Sequence, residues 1–224
     1  MAYLALIGDI IQSKQLSQRS EVQEQLKICL NRLNEFFEPY IISNFSLTLG
    51  DEFQGLMKID APIFYLIDLI NDQMRDIPMR YGIGVGEILT HINPEVSMGA
   101  DGPAYWHARE AIKFVHQKND YGTTQIAIRT GEIEDDILLN SLLSAGEAIK
   151  YNWRTSQLEV FHALLISDIY QEHFNQQQLG NLLGLSSSAL SKRLKSSNLK
   201  IYLRSRHTTQ QYIKQRFGKE TDND

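Results

Sequence analysis

Two acidic residues near the start of the chain have the types and positions expected of a divalent-metal site. Asp9 follows Gly8 at the end of an apolar run, and Asp51 stands between a glycine and Glu52. A carboxylate at the end of a buried strand needs a partner charge or a metal ion. Two converging carboxylates can bind Mg²⁺ or Mn²⁺, which would bridge nucleotide phosphates. For Asp51 the alternative is simple turn chemistry, since Asp and Gly favour tight turns.

Residues beside these carboxylates extend the predicted site towards the phosphates. Lys14, five residues after Asp9, can contact them as a point charge. The backbone amides that follow Asp9 are further candidate donors. We therefore predict that Asp9 and Asp51 are metal ligands and that the nucleotide contacts are Ile10, Ser13, Lys14 and Glu52.

Alternating strands and helices position these residues. Apolar and β-branched runs predict strands at 3–11, 80–87 and 125–129 and a hairpin at 45–57, while helical periodicity predicts helices at 17–37, 60–76 and 102–116. The glycines within 80–87 predict a central strand that another element approaches closely. The order β-α-β-β-α-β predicts an α+β, ferredoxin-like domain, in which the first strand lies beside the hairpin and brings Asp9 near Asp51.

The second part of the chain has the pattern of an all-α domain. Helices are predicted at 133–151 and 153–171, and helical patterns dominate the residues that follow. We place the first domain at 1–152, the helical domain at 153–219 and a polar tail at 220–224.

Within the helical part, residues 176–194 resemble the helix-turn-helix of bacterial regulators. Leu179 and Leu183 would pack the first helix, Gly184 would make a left-handed turn, and Ser186 would cap the second helix. The exposed face of that second helix predicts contacts to double-stranded DNA at Ser187, Ser188, Ser191, Lys192, Arg193 and Lys195. The alternative is a motif used only for packing or dimerisation.

Charge is distributed unevenly along the chain. The net charge is -5, yet residues 154–224 carry ten Lys and Arg against six Asp and Glu. Residues 186–219 contain nine basic residues and no acidic one. Such a segment favours nucleic-acid binding, because counterion release from phosphates supplies much of the affinity. A solvated basic face without a partner is the alternative.

Composition excludes several other classes of protein. The chain is 42% hydrophobic and 22% charged, which is typical of a packed globular protein and excludes disorder. No apolar run reaches the roughly 18 residues that span a bilayer, so no membrane partner is expected. The single cysteine, Cys29, excludes an intrachain disulfide. Because the apolar N-terminus lacks a basic leader, we expect a strand there and a cytoplasmic protein.

The N-terminal motifs together resemble those of a known enzyme class. Residues 8–14 (GDIIQSK) with 49–53 (LGDEF) look like the metal-binding pair of class III nucleotide cyclases and GGDEF diguanylate cyclases. Residues 80–87 (RYGIGVGE) resemble the next strand of a cyclase, and residues 102–109 (GPAYWHAR) the helix that follows it. The resemblance implies that Arg109 is a catalytic residue that assists the transition state. A cyclase-like domain ahead of a helix-turn-helix is similar to the SatD family of bacterial proteins.

Three positions depart from the cyclase pattern. Leu47 stands where adenylate cyclases have a base-selecting Lys, Tyr105 where an Asn is expected, and Leu49 replaces the first Gly of GGDEF. Metal and nucleotide binding therefore carry over better than any named cyclase activity. We predict a transcriptional regulator whose N-terminal domain binds a nucleotide through a divalent metal, and which acts as a homodimer on paired DNA half-sites. The alternatives are an active nucleotidyl cyclase or transferase localised by the helix-turn-helix, and a degenerate domain for protein contacts.

Overall fold

The computed structural model describes residues 1–48, 50–75, 77–117 and 120–218. These residues form five strands and eight α-helices, which confirms the predicted α+β class. None of the described helices is long and apolar enough to cross a membrane. The predicted tail at 220–224 lies outside the described residues, as do Leu49 and Lys219.

All five strands belong to one mixed sheet. They are β1 (Tyr3–Ile10), β2 (Ile41–Leu47), β3 (Glu52–Lys58), β4 (Met79–Gly86) and β5 (Ile126–Arg129), and their spatial order is β2-β3-β1-β4-β5. The pairs β2–β3, β3–β1 and β1–β4 are antiparallel, and the pair β4–β5 is parallel. Because β1 lies between β3 and β4, residues at the ends of these three strands meet.

Eight helices surround the sheet and continue beyond it. They are α1 (Arg19–Phe36), α2 (Ile63–Gln73), α3 (Pro103–Gln117), α4 (Ile133–Tyr151), α5 (Thr155–Leu165), α6 (Gln176–Leu183), α7 (Ser187–Ser197) and α8 (Leu199–Phe217). Apolar side chains of β1 point alternately to the two sheet faces. Leu4 and Leu6 join the large core with α1 and α2, whereas Ala5 and Ile7 pack with α3.

Helix α3 lies directly against the glycines of β4. A Cβ atom at Gly84 would stand 2.0 Å from the carbonyl oxygen of Ala104, and one at Gly82 would stand 2.4 Å from that of Ala108. Any side chain there would collide with the α3 backbone. The close approach predicted from these glycines is therefore present, and α3 is the approaching element.

The predicted helix over 153–171 is shorter in the structure. Helix α5 ends at Leu165, and Asp168 adopts a left-handed backbone conformation with φ of 55°. The hydroxyl of Tyr65, on α2, donates to the Leu165 carbonyl and to Asp168 Oδ1, both at 3.0 Å. This contact with α2 stabilises the turn that ends the helix.

A buried carboxylate joins the sheet-bearing part of the chain to the helices that follow. Asp68, on α2, is 2% exposed and accepts hydrogen bonds from Lys150 Nζ at 2.5 Å and from the hydroxyls of Tyr170 at 2.5 Å and Tyr202 at 2.6 Å. Buried apolar side chains also form one cluster across residue 152. The domain division at 152 stays a prediction, but the core is continuous there.

Electrostatics stabilise the charged form of Asp68. Burial alone would raise its pKa, but the charges of Lys150 and Arg206 and the hydrogen bonds from Lys150 and Tyr170 outweigh burial and lower its pKa below the usual value. A carboxyl group with a lowered pKa in the folded state contributes stability above its unfolded pKa of about 4. That stability is lost as pH falls through the lower, folded-state pKa.

We predict that Asp68→Ala will lower the free energy of unfolding by about 3 kcal/mol, because it leaves the half-buried Lys150 without its partner charge. Urea denaturation at pH 7 will measure the loss. Asp60→Ala, at an exposed position, is the matched control and should cost far less. Equal losses in both variants would contradict the stabilising role of Asp68.

Candidate functional site

Three charged residues form a row across the sheet at the ends of β3, β1 and β4. Asp9 on β1 is paired with Glu52 on β3 and with Arg80 on β4. Directly paired residues of neighbouring strands point to the same face of a sheet. For this row the face is the one that α3 covers, because Asp9 continues the alternation of Ala5 and Ile7.

The Asp9 carboxylate is bound by two basic side chains. Arg80 donates from Nε to Oδ1 at 2.9 Å and from Nη2 to Oδ2 at 3.3 Å, and His116 Nε2 lies 2.8 Å from Oδ2. Arg80 Nη1 also contacts His116 Nδ1 at 2.8 Å. Because a guanidinium can only donate, Nδ1 must accept, and the imidazole proton therefore lies on Nε2 and is donated to Asp9.

Sequence reasoning missed Arg80 and His116 as partners of Asp9. Arg80 opens the predicted glycine-rich strand, and it lies opposite Asp9 once that strand is paired antiparallel to β1. His116 follows Arg109 by seven residues, which places both on one helix face. These two positional signals are present in the sequence, but each depends on knowing the strand register.

Asp51 and Glu52 reach the same end of the sheet. The Ile10 amide donates to the Asp51 carbonyl at 3.0 Å, and the Ser13 hydroxyl donates to the Asp51 carboxylate. Glu52 accepts from Arg109 Nη1 at 2.7 Å. The structure thus brings together the predicted residues Asp9, Asp51, Glu52, Ser13 and Arg109.

The other two predicted nucleotide contacts, Ile10 and Lys14, differ in whether a ligand could reach them. Ile10 is 3% exposed and its amide is used by Asp51, so it has no free backbone donor. Lys14 is exposed on the short 3-10 turn Ser13–Gln15, which follows Gln12 in a left-handed conformation with φ of 56°. Its ammonium group is therefore accessible to an anion.

Asp9 and Asp51 are the candidate donors for a metal ion at this end of the sheet. Among the described residues, no three His, Cys, Asp or Glu side chains form a group that could bind a metal alone. Mg²⁺, however, is commonly bound by one or two carboxylates together with water and substrate phosphates. Asp9 and Asp51 could supply those carboxylates, provided that Arg80 and His116 release Asp9.

A cavity of about 390 Å³ opens beside Arg109. Its walls include Tyr105, Trp106 and Lys113, all on α3, and Gln54 on β3. The carboxylates of Asp101 and Glu110 line it as well, so the cavity combines two aromatic rings with side chains of both charges. The aromatic rings suit a ligand that contains a ring.

The Tyr105 hydroxyl at this cavity lacks a hydrogen-bond partner among the described residues. Tyr105 is 7% exposed, and burial raises the pKa of its hydroxyl. The nearby Ser97 hydroxyl partly offsets this rise in the pKa of Tyr105. That hydroxyl donates its proton to the Gln54 carbonyl at 2.9 Å, and not to Tyr105. An unpaired buried hydroxyl is unfavourable, so a ligand that bonded to it would gain affinity.

Helices α6 and α7 adopt the geometry predicted for the C-terminal motif. Gly184 has a left-handed conformation with φ of 63°, and the Ser186 hydroxyl accepts from the Ala189 amide at 3.2 Å. Leu190 and Leu194 are buried against the preceding helices. These contacts leave the opposite face of α7 towards solvent.

Five of the six predicted DNA contacts are exposed on that face: Ser187, Ser188, Ser191, Lys192 and Lys195. Arg193 points elsewhere, since its Nη1 contacts Glu159 at 2.9 Å and the Ser156 carbonyl at 3.1 Å, both on α5. Arg193 thus joins α7 to α5 and is left out of the exposed face.

The basic segment is largely neutralised within the chain. Eight of its nine basic residues are described, and five of these contact carboxylates: Arg193, Arg204, Arg206, Lys214 and Arg216. Their acidic partners come from earlier parts of the chain, such as Glu147 for Arg206 and Asp135 for Arg216. The positive charge that remains for a polyanion therefore centres on Lys192, Lys195 and Lys200.

Comparison with known families identifies the chain. The model of the SatD family matches residues 3–213. The chain belongs to the SatD family. The sequence resemblance to that family is thereby confirmed.

Individual proteins resemble the chain only weakly. No curated protein matches this SatD-family chain. Among solved structures, it is similar to a bacterial light-regulated adenylyl cyclase, with 10% sequence identity and a TM-score of 0.42. The match covers 56% of this chain and 42% of the cyclase chain, so the chain spans less than half of that protein.

For this SatD-family protein we predict that Tyr105→Phe will raise the free energy of unfolding by about 1 kcal/mol, since it removes an unpaired buried hydroxyl. Tyr81→Phe is the matched control, because the Tyr81 hydroxyl is buried but donates to Asn71 Oδ1 at 2.8 Å. Tyr81→Phe should lower the free energy of unfolding by about 1 kcal/mol. Urea denaturation will compare the two, and equal losses would show that Tyr105 is paired.

Proposed function

We propose that this protein is a DNA-binding transcriptional regulator whose α+β part binds a nucleotide with Mg²⁺ or Mn²⁺. The observation that carries the proposal is the exposed face of α7, where serines and lysines stand opposite the buried Leu190 and Leu194. We interpret α5, α6 and α7 as a helix-turn-helix domain, with α7 as the helix that enters the major groove. The first four strands, with α1 and α2, correspond to a ferredoxin-like arrangement.

The small number of exposed lysines on α7 supports a DNA contact of limited size. Lys192 and Lys195 lie on the same exposed face as the serines. Both lysines would contact phosphates, and Ser188 and Ser191 would contact base edges. Two lysines per protomer would give about four phosphate contacts in a homodimer. The expected slope of log K against log salt is then about −4. Dimerisation supports the proposal because it doubles a small contact surface.

We predict that Lys192→Ala with Lys195→Ala will weaken binding to double-stranded DNA uniformly across sequences and reduce the magnitude of the salt slope by about 2 per protomer. Filter retention of labelled DNA fragments between low and moderate salt will measure both effects. Lys27→Ala with Arg32→Ala, at exposed positions on α1, is the charge-matched control and should leave the slope unchanged.

An unchanged slope in the double variant would contradict a role for α7. DNA retention that ignored salt altogether in the wild-type protein would remove the regulator proposal as a whole. The DNA test needs neither a nucleotide nor a metal, so its outcome is independent of the nucleotide site.

The nucleotide half of the proposal is supported by the charges at the sheet end. Asp9 and Asp51 would bind the metal, which supplies positive charge to the phosphates when bound. Arg109 and Lys14 would contact the phosphates, and the cavity lined by Trp106 and Tyr105 would accept the base. The contact with Glu52 holds the Arg109 guanidinium at the edge of the cavity before a ligand binds.

We predict that Asp9→Asn with Asp51→Asn will abolish the stabilisation that Mn²⁺ and a nucleoside triphosphate together confer. For the unmodified protein, a ligand at a hundred times its dissociation constant should add about 2.7 kcal/mol. Thermal shift will measure it for each nucleoside triphosphate. Asp60→Asn, at an exposed acid remote from the row in sequence, is the control and should retain the full shift.

The same incubations, read by mass spectrometry, separate this proposal from an active nucleotidyl cyclase or transferase. A new product that is absent with the double variant would establish an enzyme, and its mass would give the reaction. Metal-dependent binding without product supports a nucleotide-sensing regulator. Neither binding nor product would contradict the nucleotide half and leave only the DNA test standing.

A further inference from the structure

A second cavity lies where the sheet-bearing part of the chain meets the helices that follow it. Its volume is about 440 Å³, within the range of small-molecule sites. Residues from α2, β4, α4 and α5 line it, together with the loop before β4. Its apolar wall includes Met74, Ile77, Trp153, Leu158 and Phe161.

Two aromatic rings, inclined to each other, form one corner of the cavity. Trp153 and Phe161 are 8% and 4% exposed, and their ring centroids lie 5.0 Å apart in an edge arrangement. Asn71 and Gln125 also line the cavity. Asn71 Oδ1 accepts from Tyr81 and Gln125 Nε2 donates to the Gly122 carbonyl, so Asn71 Nδ2 and Gln125 Oε1 are the amide atoms that lack a partner among the described residues. Amide groups of this kind hydrogen-bond to the polar edge of a heteroaromatic ring, whereas aromatic walls pack on its face.

The charged groups that line the cavity are paired with one another or with neighbours. Lys150 contacts Asp68, and Arg75 contacts Asp72 at 3.0 Å. Asp72 also accepts from His162 Nδ1 at 2.8 Å. Both cations of the wall are thus already engaged, and carboxylates surround them. A phosphate would meet repulsion here, so the ligand should carry no negative charge.

One wall residue connects the cavity to α7. The Trp153 indole donates from Nε1 to the Ser197 carbonyl at 2.6 Å, at the last residue of α7. Helix α5, which lines the cavity through Leu158 and Phe161, also contacts α7 through Gln157 Nε2 and Ser196 Oγ at 2.9 Å. A molecule that packs on Trp153 would therefore act on the support of α7 directly.

We propose that this cavity binds a small, planar, uncharged heteroaromatic molecule and that its occupancy alters the ordering of α7 through Trp153. Only the consequence for DNA rests on the function proposed above; binding and the response of α7 do not. A ligand that binds two arrangements of α7 unequally would shift the balance between them. The site is distinct from the cavity beside Arg109, whose walls come from α3, β3 and the loop before α3.

The chain offers a direct optical test of binding. It contains two tryptophans, so Trp106→Phe leaves Trp153 as the single indole. We will titrate this variant with the four ribonucleosides, their free bases and nicotinamide, and with the ribonucleoside monophosphates as charged comparators. We expect at least one uncharged compound to change Trp153 fluorescence saturably, and its phosphorylated form to bind at least tenfold more weakly.

A cavity-filling variant tests the location. Leu158 is 44% exposed at the cavity, so Leu158→Arg can be accommodated from the solvent side and should weaken binding at least tenfold. Leu89→Arg, at a 65% exposed leucine that does not line the cavity, is the matched control and should bind normally. No saturable change with any compound, or equal binding in both arginine variants, would overturn the proposal.

The response of α7 is measured by amide hydrogen exchange without DNA. Ligand should change exchange across Ser187–Ser197 in the Trp106→Phe protein but not in Leu158→Arg. Trp153→Phe keeps an aromatic wall and removes the donor to Ser197. Its affinity for the ligand, measured by equilibrium dialysis, should stay within a few-fold of the Trp106→Phe protein, but the exchange response of α7 should be lost.

Unchanged exchange across α7 in the ligand-bound protein, or a full exchange response in Trp153→Phe, would overturn the coupling. Failure of DNA retention alone would instead contradict the proposed function.

Discussion

The contact between α3 and β4 determines where the chemistry of the α+β part lies. Because Gly82 and Gly84 lack side chains, the backbone of α3 can rest directly on the strand. That approach brings Arg109 to Glu52 and His116 to Asp9, whose strands lie beyond β4 in the sheet. A larger residue at either glycine would move the helix outward, and the contacts of Arg109 and His116 with the charged row would be lost.

A second constraint, the buried Asp68, makes the two parts of the chain behave as one core. Its carboxylate is bonded to Lys150 on α4 and to the hydroxyl of Tyr202 on α8, so three helices depend on one charge. Burial of a charge is tolerated only when partners of this kind are present. Asp68 and Lys150 also line the cavity at this junction, whose link to α7 is the separate contact of Trp153 with Ser197.

Local sequence patterns predicted most elements but not the partners of the site residues. Helix α4 runs over the predicted 133–151, and α6 and α7 fall within the predicted motif, because helical periodicity and caps are encoded by neighbouring residues. Asp9 and Asp51 were predicted from their positions at a strand end and a turn. Arg80 and His116, however, are 71 and 107 residues from Asp9, so their contacts depend on register and helix docking.

The charge of the C-terminal segment shows the same limit of sequence reasoning. Its basic residues lie close together in sequence, which favours a polyanion surface, yet five of the eight described contact carboxylates from α4, α5 and elsewhere. Three of these carboxylates, Glu147, Asp60 and Asp135, belong to the acidic first part of the chain, so part of the basic charge is neutralised across the fold.

That neutralisation has a consequence for both proposed ligands. At the sheet end, a divalent cation must compete with Arg80 and His116 for Asp9, so its binding free energy is reduced by the contacts it replaces. On α7, only a few lysines remain for phosphates, so the proposed affinity for DNA would depend on a second protomer and on low salt. In the proposed function a cation at Asp9 would therefore exchange partners with Arg80 and His116, and the release of His116 would be felt by α3.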